Sequence, residues 1–135
     1  MMKKKNIKKI LAKSISILEE KNSKDSETKK SEFALFKLQL SKVRFAKTDH
    51  YVNNKYVSFK KKTFVKLKPL PFSNMSVMFY ELKQDIPVEC IIFFEKGYLK
   101  GFEVYSCDGT IFESVNLDEI KVEQVDINYR LEKPE

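Results

Sequence analysis

The feature that most constrains the fold is a run of β-forming residues over positions 87–106 that is interrupted once by a glycine. Residues 88–94 and 98–106 are rich in β-branched and aromatic side chains, which favour extended strands. The three residues at 95–97 separate them, and Gly97 can take the positive φ angle that a tight turn requires. The sequence therefore predicts a β-hairpin.

The register of this hairpin decides which side chains reach the core. A three-residue loop with Gly97 in the left-handed region pairs Cys90 with Phe102 and segregates the apolar residues well, so it is the register that we expect. A two-residue loop would place Glu103 opposite Cys90 and divide the aromatic residues between the faces. In the expected register the core face carries Val88, Cys90, Ile92, Phe94, Tyr98, Phe102 and Val104.

The opposite face of the predicted hairpin is also partly apolar. Two such faces indicate a central hairpin whose second side is covered, either by another segment, such as residues 111–120, or by a partner. A second copy of the chain is one such partner, which would make a homodimer. The second face carries Ile91, Phe93, Leu99 and Tyr105 among Glu89, Glu95 and Glu103.

Upstream of the hairpin, apolar residues recur with the period of a helix. An amphipathic helix is predicted over residues 6–20, and a polar linker over residues 21–30. Ser26 or Ser31 is the expected cap of a second helix that ends near Leu40.

From residue 41 onward the apolar period changes to two, and strand follows strand without an intervening helix, so the sheet is expected to be mainly antiparallel. The predicted fold class is α+β, in a single domain over residues 1–135. One or two N-terminal helices over residues 1–40 pack on a sheet of about 5–6 strands over residues 41–128, before a frayed tail at 129–135. The short β-rich runs outside the hairpin are Val43 with Phe45, residues 56–59, residues 75–80 and residues 121–128.

The net charge of +7 hides a division between the two halves of the chain. Residues 1–70 contain 20 basic and 6 acidic side chains, whereas residues 71–135 contain 6 basic and 13 acidic ones. Attraction to a partner depends on the local field within roughly 8 Å, so each half favours a partner of a different charge.

The chain has few residues of the kinds that carry catalysis or bind metal. His50 is the sole histidine, and Cys90 and Cys107 lie among strand residues, where a thiol usually serves as packing. The offset of the two cysteines along the hairpin exceeds about 10 Å, which a disulfide cannot span. We therefore expect a protein that is not an enzyme, has no cofactor or metal, and works in a reducing cytoplasm. No apolar stretch approaches the roughly 18 residues of a membrane span, so no membrane insertion is expected.

Two segments resemble a group of small bacterial proteins. The run FKLQLSKV over residues 36–43, followed by a strand, is similar to the helix-to-strand junction of that group. The run PVECIIFFEKGYLKGFEVYSCDG over residues 87–109 is similar to its hairpin. Some members occur beside polymorphic toxins, including those of contact-dependent growth inhibition, as candidate immunity proteins. The resemblance covers roughly residues 33–110 and implies one or two helices before a small antiparallel sheet, with a cognate toxin as partner.

An immunity protein needs a stable scaffold and a surface complementary to its toxin, and many such toxins are basic. The acidic second half can supply that complement, or the lysine-rich first half can bind an acidic toxin. An alternative function is a nucleic-acid-binding accessory domain that uses the lysine-rich N-terminal half, with Lys3–Lys5, Lys8, Lys9 and Lys60–Lys62 near Phe59 and Phe64. The candidate toxin-binding residues are Glu81, Asp85, Glu89, Glu95, Asp108, Glu113, Asp118, Glu119 and Glu123.

Overall fold

A computed structural model describes residues 4–23, 27–41, 45–50, 54–59, 69–110 and 112–130. Two helices precede one six-stranded antiparallel sheet, which confirms the predicted α+β fold class. The helices are α1 (Lys4–Ser23) and α2 (Glu27–Ser41). The strands are β1 (Phe45–His50), β2 (Asn54–Phe59), β3 (Phe72–Glu81), β4 (Ile86–Glu95), β5 (Tyr98–Ser106) and β6 (Ile120–Tyr129). Their order across the sheet is β1-β2-β5-β4-β3-β6, so the predicted hairpin lies at its centre.

Both helices extend into the segment predicted to be a polar linker. α1 continues through Lys21 to Ser23, and α2 begins at Glu27, because lysine and glutamate have good helix propensity even on a turn without apolar residues. Ser31 lies inside α2 and does not cap it. Ser26, the other expected cap, and Val43 lie outside the described residues, as does the end of the tail from residue 131.

The central hairpin turns over two residues, so the expected three-residue loop is wrong. Lys96 and Gly97 have φ angles of 53° and 89°, as in a type I′ turn, and Glu95 pairs with Tyr98. A Cβ atom at position 97 would lie 2.6 Å from the Cβ of Pro69, so the site requires glycine for space as well as for φ.

A β-bulge at Lys100 sets the rest of the hairpin register. Phe94 pairs with Leu99 while Phe93 pairs with Gly101, which leaves Lys100 as the extra residue. Cys90 therefore lies opposite Val104 and not opposite Phe102 or Glu103. The two-residue turn pairs Leu99 with Phe94 and so turns Leu99 toward the core, where it is fully buried, although the sequence pattern assigned it to the other face.

The hydrophobic core lies between the two helices and one face of the sheet. Phe36 of α2 is at its centre, with ring centroids 5.1 Å from Phe33, 6.5 Å from Phe72 and 5.8 Å from Phe94. α1 contributes a buried stripe at the predicted spacing, and the alternate residues of β3, β4 and β5 complete the core. The most deeply buried apolar residues of the core, including Val57 of β2, are Ile7, Ile10, Leu18, Phe36, Val57, Leu70, Phe72, Met75, Val77, Phe79, Val88, Cys90, Ile92, Leu99, Phe102 and Val104.

The segment from Phe112 to Leu117 packs on the helical side of the sheet. Phe112 is buried in the core, Val115 and Leu117 pack against it, and the Asn6 side chain of α1 donates a hydrogen bond to the Glu113 carbonyl at 3.0 Å. This segment was one predicted cover for the second sheet face, and the structure places it on the first. No helix within the described ranges is long and apolar enough to cross a membrane.

Candidate functional site

The sheet has a second surface on the side opposite the helices, which we call the outer face. Its side chains come from the residues that alternate with the core positions, and most of them are half-buried. The half-buried members include Tyr56, Ser76, Met78, Tyr80, Glu89, Ile91, Phe93, Glu103, Tyr105 and Asp126.

An aromatic pair lies at the centre of the outer face. The rings of Tyr56 on β2 and Phe93 on β4 have centroids 6.1 Å apart and are tilted by 46°. Between these strands, β5 has Gly101, and a Cβ atom there would lie 2.7 Å from the Tyr56 hydroxyl oxygen and 2.5 Å from the Val57 carbonyl oxygen. The absence of a side chain at Gly101 therefore allows the Tyr56 ring to lie across β5 toward Phe93.

Glu103 stands beside this aromatic pair. It is directly opposite Tyr56 on one neighbouring strand and opposite Ile91 on the other. Among the described residues its half-buried carboxylate has neither a hydrogen-bond donor nor an ion-pair partner. A carboxylate that is partly removed from water and unpaired is a favourable place for a cation from outside.

Glu89 is the second carboxylate at the centre of the outer face. The Tyr105 hydroxyl donates a hydrogen bond to Glu89, and burial together with this contact raises the pKa of Tyr105. Glu89 lies opposite Tyr105, and Glu103 lies opposite Ile91, so the two carboxylates do not oppose each other directly, as the expected pairing of Cys90 with Phe102 would have placed them. They are diagonal neighbours, which lie roughly 7–8 Å apart in a sheet.

More acidic residues gather at the end of the outer face near the β3–β4 turn. The Tyr80 hydroxyl donates to the Asp85 carboxylate at 2.6 Å, and this bond raises the pKa of Tyr80. Asp108 and Glu123 act electrostatically on Tyr80 in the same direction. Hydrogen bonds from Thr110 hold the pKa of Asp108 below its ordinary value. Asp85, Asp108 and Glu123, three of the predicted candidates, are thus brought toward Tyr80, on the same face as a fourth, Glu89.

The other exposed candidates are distributed elsewhere. Glu95 is at the turn of the central hairpin, at the far end of β4. Glu113 and Asp118 lie beside α1, where Asp118 lines an open groove of about 570 Å³ together with Lys9 and Lys13. Glu119 precedes β6, and its carbonyl accepts a hydrogen bond from the Leu82 amide.

Glu81 is the one candidate whose side chain is fully buried. One carboxylate oxygen accepts the backbone N–H groups of Lys83 at 2.5 Å and Gln84 at 3.0 Å, and the other accepts the Gln84 side-chain amide at 2.8 Å. Its described contacts hold the β3–β4 turn in place, and it offers no surface to a partner.

The structure adds two acidic residues that the sequence-based candidate set omits. Glu103 and Asp126 both lie on the outer face, and Asp126 accepts a hydrogen bond from the Gln124 side chain at 2.7 Å. The sequence signal for both residues was their alternation with core positions along the strand, among aromatic and aliphatic neighbours. The β3–β6 part of the face is more neutral, with the Asn128 side chain donating to Asn74 at 2.7 Å.

Neither cysteine has the surroundings of an activated nucleophile. Burial raises the pKa of the Cys90 thiol to about 12, and partial burial with nearby Glu89 and Asp108 raises the pKa of Cys107. Both cysteines are free, with Cys90 buried and Cys107 exposed. His50 is the last residue of β1.

Half of the residues predicted for the lysine-rich nucleic-acid surface lie outside the described residues, namely Lys3, Lys60, Lys61, Lys62 and Phe64. That alternative stays a prediction, and its signature would be nucleic-acid affinity that falls steeply with salt.

Comparison of this chain with protein-family models, with curated proteins and with solved structures finds no match.

Proposed function

We propose that this chain is an immunity-type protein that neutralises a cognate bacterial toxin by binding it stoichiometrically through the outer face of the sheet. The observation that carries the proposal is the combination, on one half-exposed sheet face, of the Tyr56–Phe93 ring pair with the carboxylate of Glu103, which has no partner among the described residues. The resemblance of residues 87–109 to the hairpin of immunity-type proteins supplies the kind of partner.

The composition of the outer face suits a protein partner with a basic surface. Aromatic residues are enriched at the centres of protein interfaces because they bury a large area and lose little conformational entropy. Acidic residues around such a centre speed association with a basic partner and disfavour acidic ones. A surface of this kind is sufficient for inhibition by occlusion, which requires no chemistry from the inhibitor.

The test is co-expression of this chain with the product of the adjacent open reading frame. We expect a one-to-one complex that survives ~0.5 M salt, in which exposed charges are screened beyond several ångströms, and we expect protection of cells from that product. A neighbouring product that is neither toxic nor bound would overturn the proposed function.

The surface is tested by a double variant, Glu89→Lys with Glu103→Lys, measured for binding and protection after its folding is checked by circular dichroism. We expect a loss of affinity of more than about 100-fold, because two favourable charge contacts become repulsive. If the lysine variant does not fold, the milder double variant Glu89→Gln with Glu103→Gln is measured in its place.

The matched control makes the same change of charge on the helices, with Glu20→Lys and Glu32→Lys. It is expected to bind like the wild type, because both residues lie on the other side of the sheet. A third pair, Glu113→Lys with Asp118→Lys, covers the acidic residues beside α1. Loss of binding in this third pair with no loss in the outer-face pair would move the interface to the helical side.

A further inference from the structure

We infer that the centre of the outer face is a socket for one arginine side chain of the partner, whose guanidinium group stacks on the Tyr56–Phe93 ring pair and binds Glu103. This inference rests on the proposed function, because it assigns a specific residue type to the toxin surface that the outer face would bind.

The first argument is the unpaired carboxylate. Glu103 is half-buried between Tyr56 and Ile91, and none of the described residues donates a hydrogen bond to its side chain. Other acidic side chains of the outer face do have such donors. Glu89 accepts a hydrogen bond from the Tyr105 hydroxyl, and Asp126 accepts one from the Gln124 side-chain amide. Burying a carboxylate without a partner is unfavourable, and a cation supplied by another protein removes that cost.

The second argument is the aromatic surface beside this carboxylate. Gly101 lies within β5, where glycine weakens a strand and often marks the close approach of another group. Here the group that approaches is the Tyr56 ring, since a Cβ atom at position 101 would lie 2.7 Å from the Tyr56 hydroxyl oxygen. The centroid of the Tyr56 ring thereby lies 6.1 Å from that of Phe93, and the two rings form a half-exposed aromatic surface next to Glu103.

These two features favour arginine over lysine. A guanidinium group is planar, so it can stack on an aromatic ring and donate two parallel hydrogen bonds to one carboxylate at the same time. The guanidinium group also has N–H groups that are not used by Glu103. These can face Glu89, which is the diagonal neighbour of Glu103. A lysine ammonium group is a point charge that is strongly hydrated, and it cannot use both features as well.

A socket role for Glu103 predicts a loss of toxin affinity without a loss of stability, which a purely structural role would not predict. Glu103→Gln keeps the shape of the side chain and removes a charge that no described residue pairs, so the stability of the free protein should be unchanged or higher. The same variant should bind the toxin about 10- to 100-fold more weakly, because the guanidinium group would lose its ionic partner. Glu32→Gln, which neutralises a half-buried carboxylate on α2, is the matched control and should leave toxin affinity unchanged.

The free protein provides a test that does not depend on any toxin. Acetyl-arginine amide is titrated into isotopically labelled protein, and the amide resonances of Gly101 and Glu103 are followed by NMR. We expect saturable shifts there, weaker shifts with acetyl-lysine amide, and no saturable shift in Glu103→Gln or Tyr56→Ala.

The outcomes separate the socket from the proposed function. If the complex forms but Glu103→Gln binds like the wild type, and arginine amide gives no saturable shift, the socket is wrong while the proposed function stands. If lysine amide shifts the same resonances as strongly as arginine amide, the assignment to arginine is overturned. If no toxin binds but arginine amide saturates the site, the proposed function fails and the socket remains as a binding site for guanidinium groups.

Discussion

Gln39 is a single buried polar residue that joins a helix to the central hairpin. Its side-chain oxygen accepts the Leu99 backbone N–H at 2.7 Å, and its side-chain nitrogen donates to the Gly97 carbonyl at 3.3 Å. The Leu70 backbone N–H donates to the same carbonyl at 2.7 Å. Three segments that are distant in sequence therefore meet at this side chain.

We predict that Gln39→Ala lowers the free energy of unfolding by about 1–3 kcal/mol, because the buried Leu99 N–H loses its acceptor. Urea denaturation followed by circular dichroism measures the change. Leu38→Ala is the control, since Leu38 is 47% exposed one position earlier on the same helix and its truncation should cost less than about 0.5 kcal/mol. Equal losses in the two variants would show that the hydrogen bonds of Gln39 contribute nothing measurable.

Residue type alone did not distinguish the acidic side chains that serve the fold from those on the surface. Glu81 and Glu89 both belong to long strands, yet Glu81 is fully buried and binds the turn that follows it, while Glu89 faces outward. The difference depends on strand parity and on a turn that presents two N–H groups to Glu81. Glu103 was predicted on the second face, but only the pairing of β5 with β2 places it opposite Tyr56.

At the scale of elements, the turn of the central hairpin illustrates how local preference and tertiary contacts combine. Lys96 and Gly97 both adopt positive φ angles, which glycine tolerates and lysine does not favour. The conformation is held by contacts from outside the hairpin, since the Gly97 carbonyl accepts hydrogen bonds from both Leu70 and Gln39.

We predict opposite effects of two substitutions in this turn. Lys96→Asn should raise the free energy of unfolding by about 0.5–1 kcal/mol, because asparagine adopts the left-handed region more readily and Lys96 is exposed. Gly97→Ala should lower it by more than about 1 kcal/mol, through the positive φ angle and the crowding against Pro69. Thermal and urea denaturation measure both. A stabilising Gly97→Ala would contradict the two-residue turn.

The bulge at Lys100 had a larger effect on the site than any other local feature. Without it, each residue of β5 beyond Lys100 would pair with the β4 residue one position earlier in the sequence, and Glu103 would lie opposite Cys90. A lysine in a strand gives no signal for a bulge, because its long side chain is compatible with either face. The hairpin was therefore predictable from apolar periodicity, whereas its register required the partner strands.

At the scale of the whole molecule, the helices and the sheet share one hydrophobic core. Phe36 connects them directly, since its ring contacts those of Phe33 on α2, Phe72 on β3 and Phe94 on β4. α1 buries Ile10 and Leu18 in the same cluster. Neither layer has a second core within the described residues on which to fold independently.

We predict that Phe36→Ala lowers the free energy of unfolding by about 3–5 kcal/mol and that helix and sheet signals are still lost together. Circular dichroism at 222 nm and tyrosine fluorescence should give coincident urea transitions. Leu35→Ala, on the exposed side of α2 at 41% exposure, should change stability by less than about 0.5 kcal/mol. Loss of helix at lower urea than the fluorescence transition would contradict a shared core.

The sequence by itself determined the fold class, the buried stripe of α1 and the position of the central hairpin. Those features depend on periodicity over neighbouring residues, and helices and strands bury faces with periods that the pattern shows directly. Only the tertiary structure decided that Leu99 enters the core, that Glu81 is buried, and that Glu103 stands beside Tyr56. The burial of Leu99 depends on the length of the hairpin turn, that of Glu81 on the turn that follows β3, and the position of Glu103 on the bulge and on the pairing of β5 with β2. Strand pairings and bulges join residues far apart along the chain, so no local pattern encodes them.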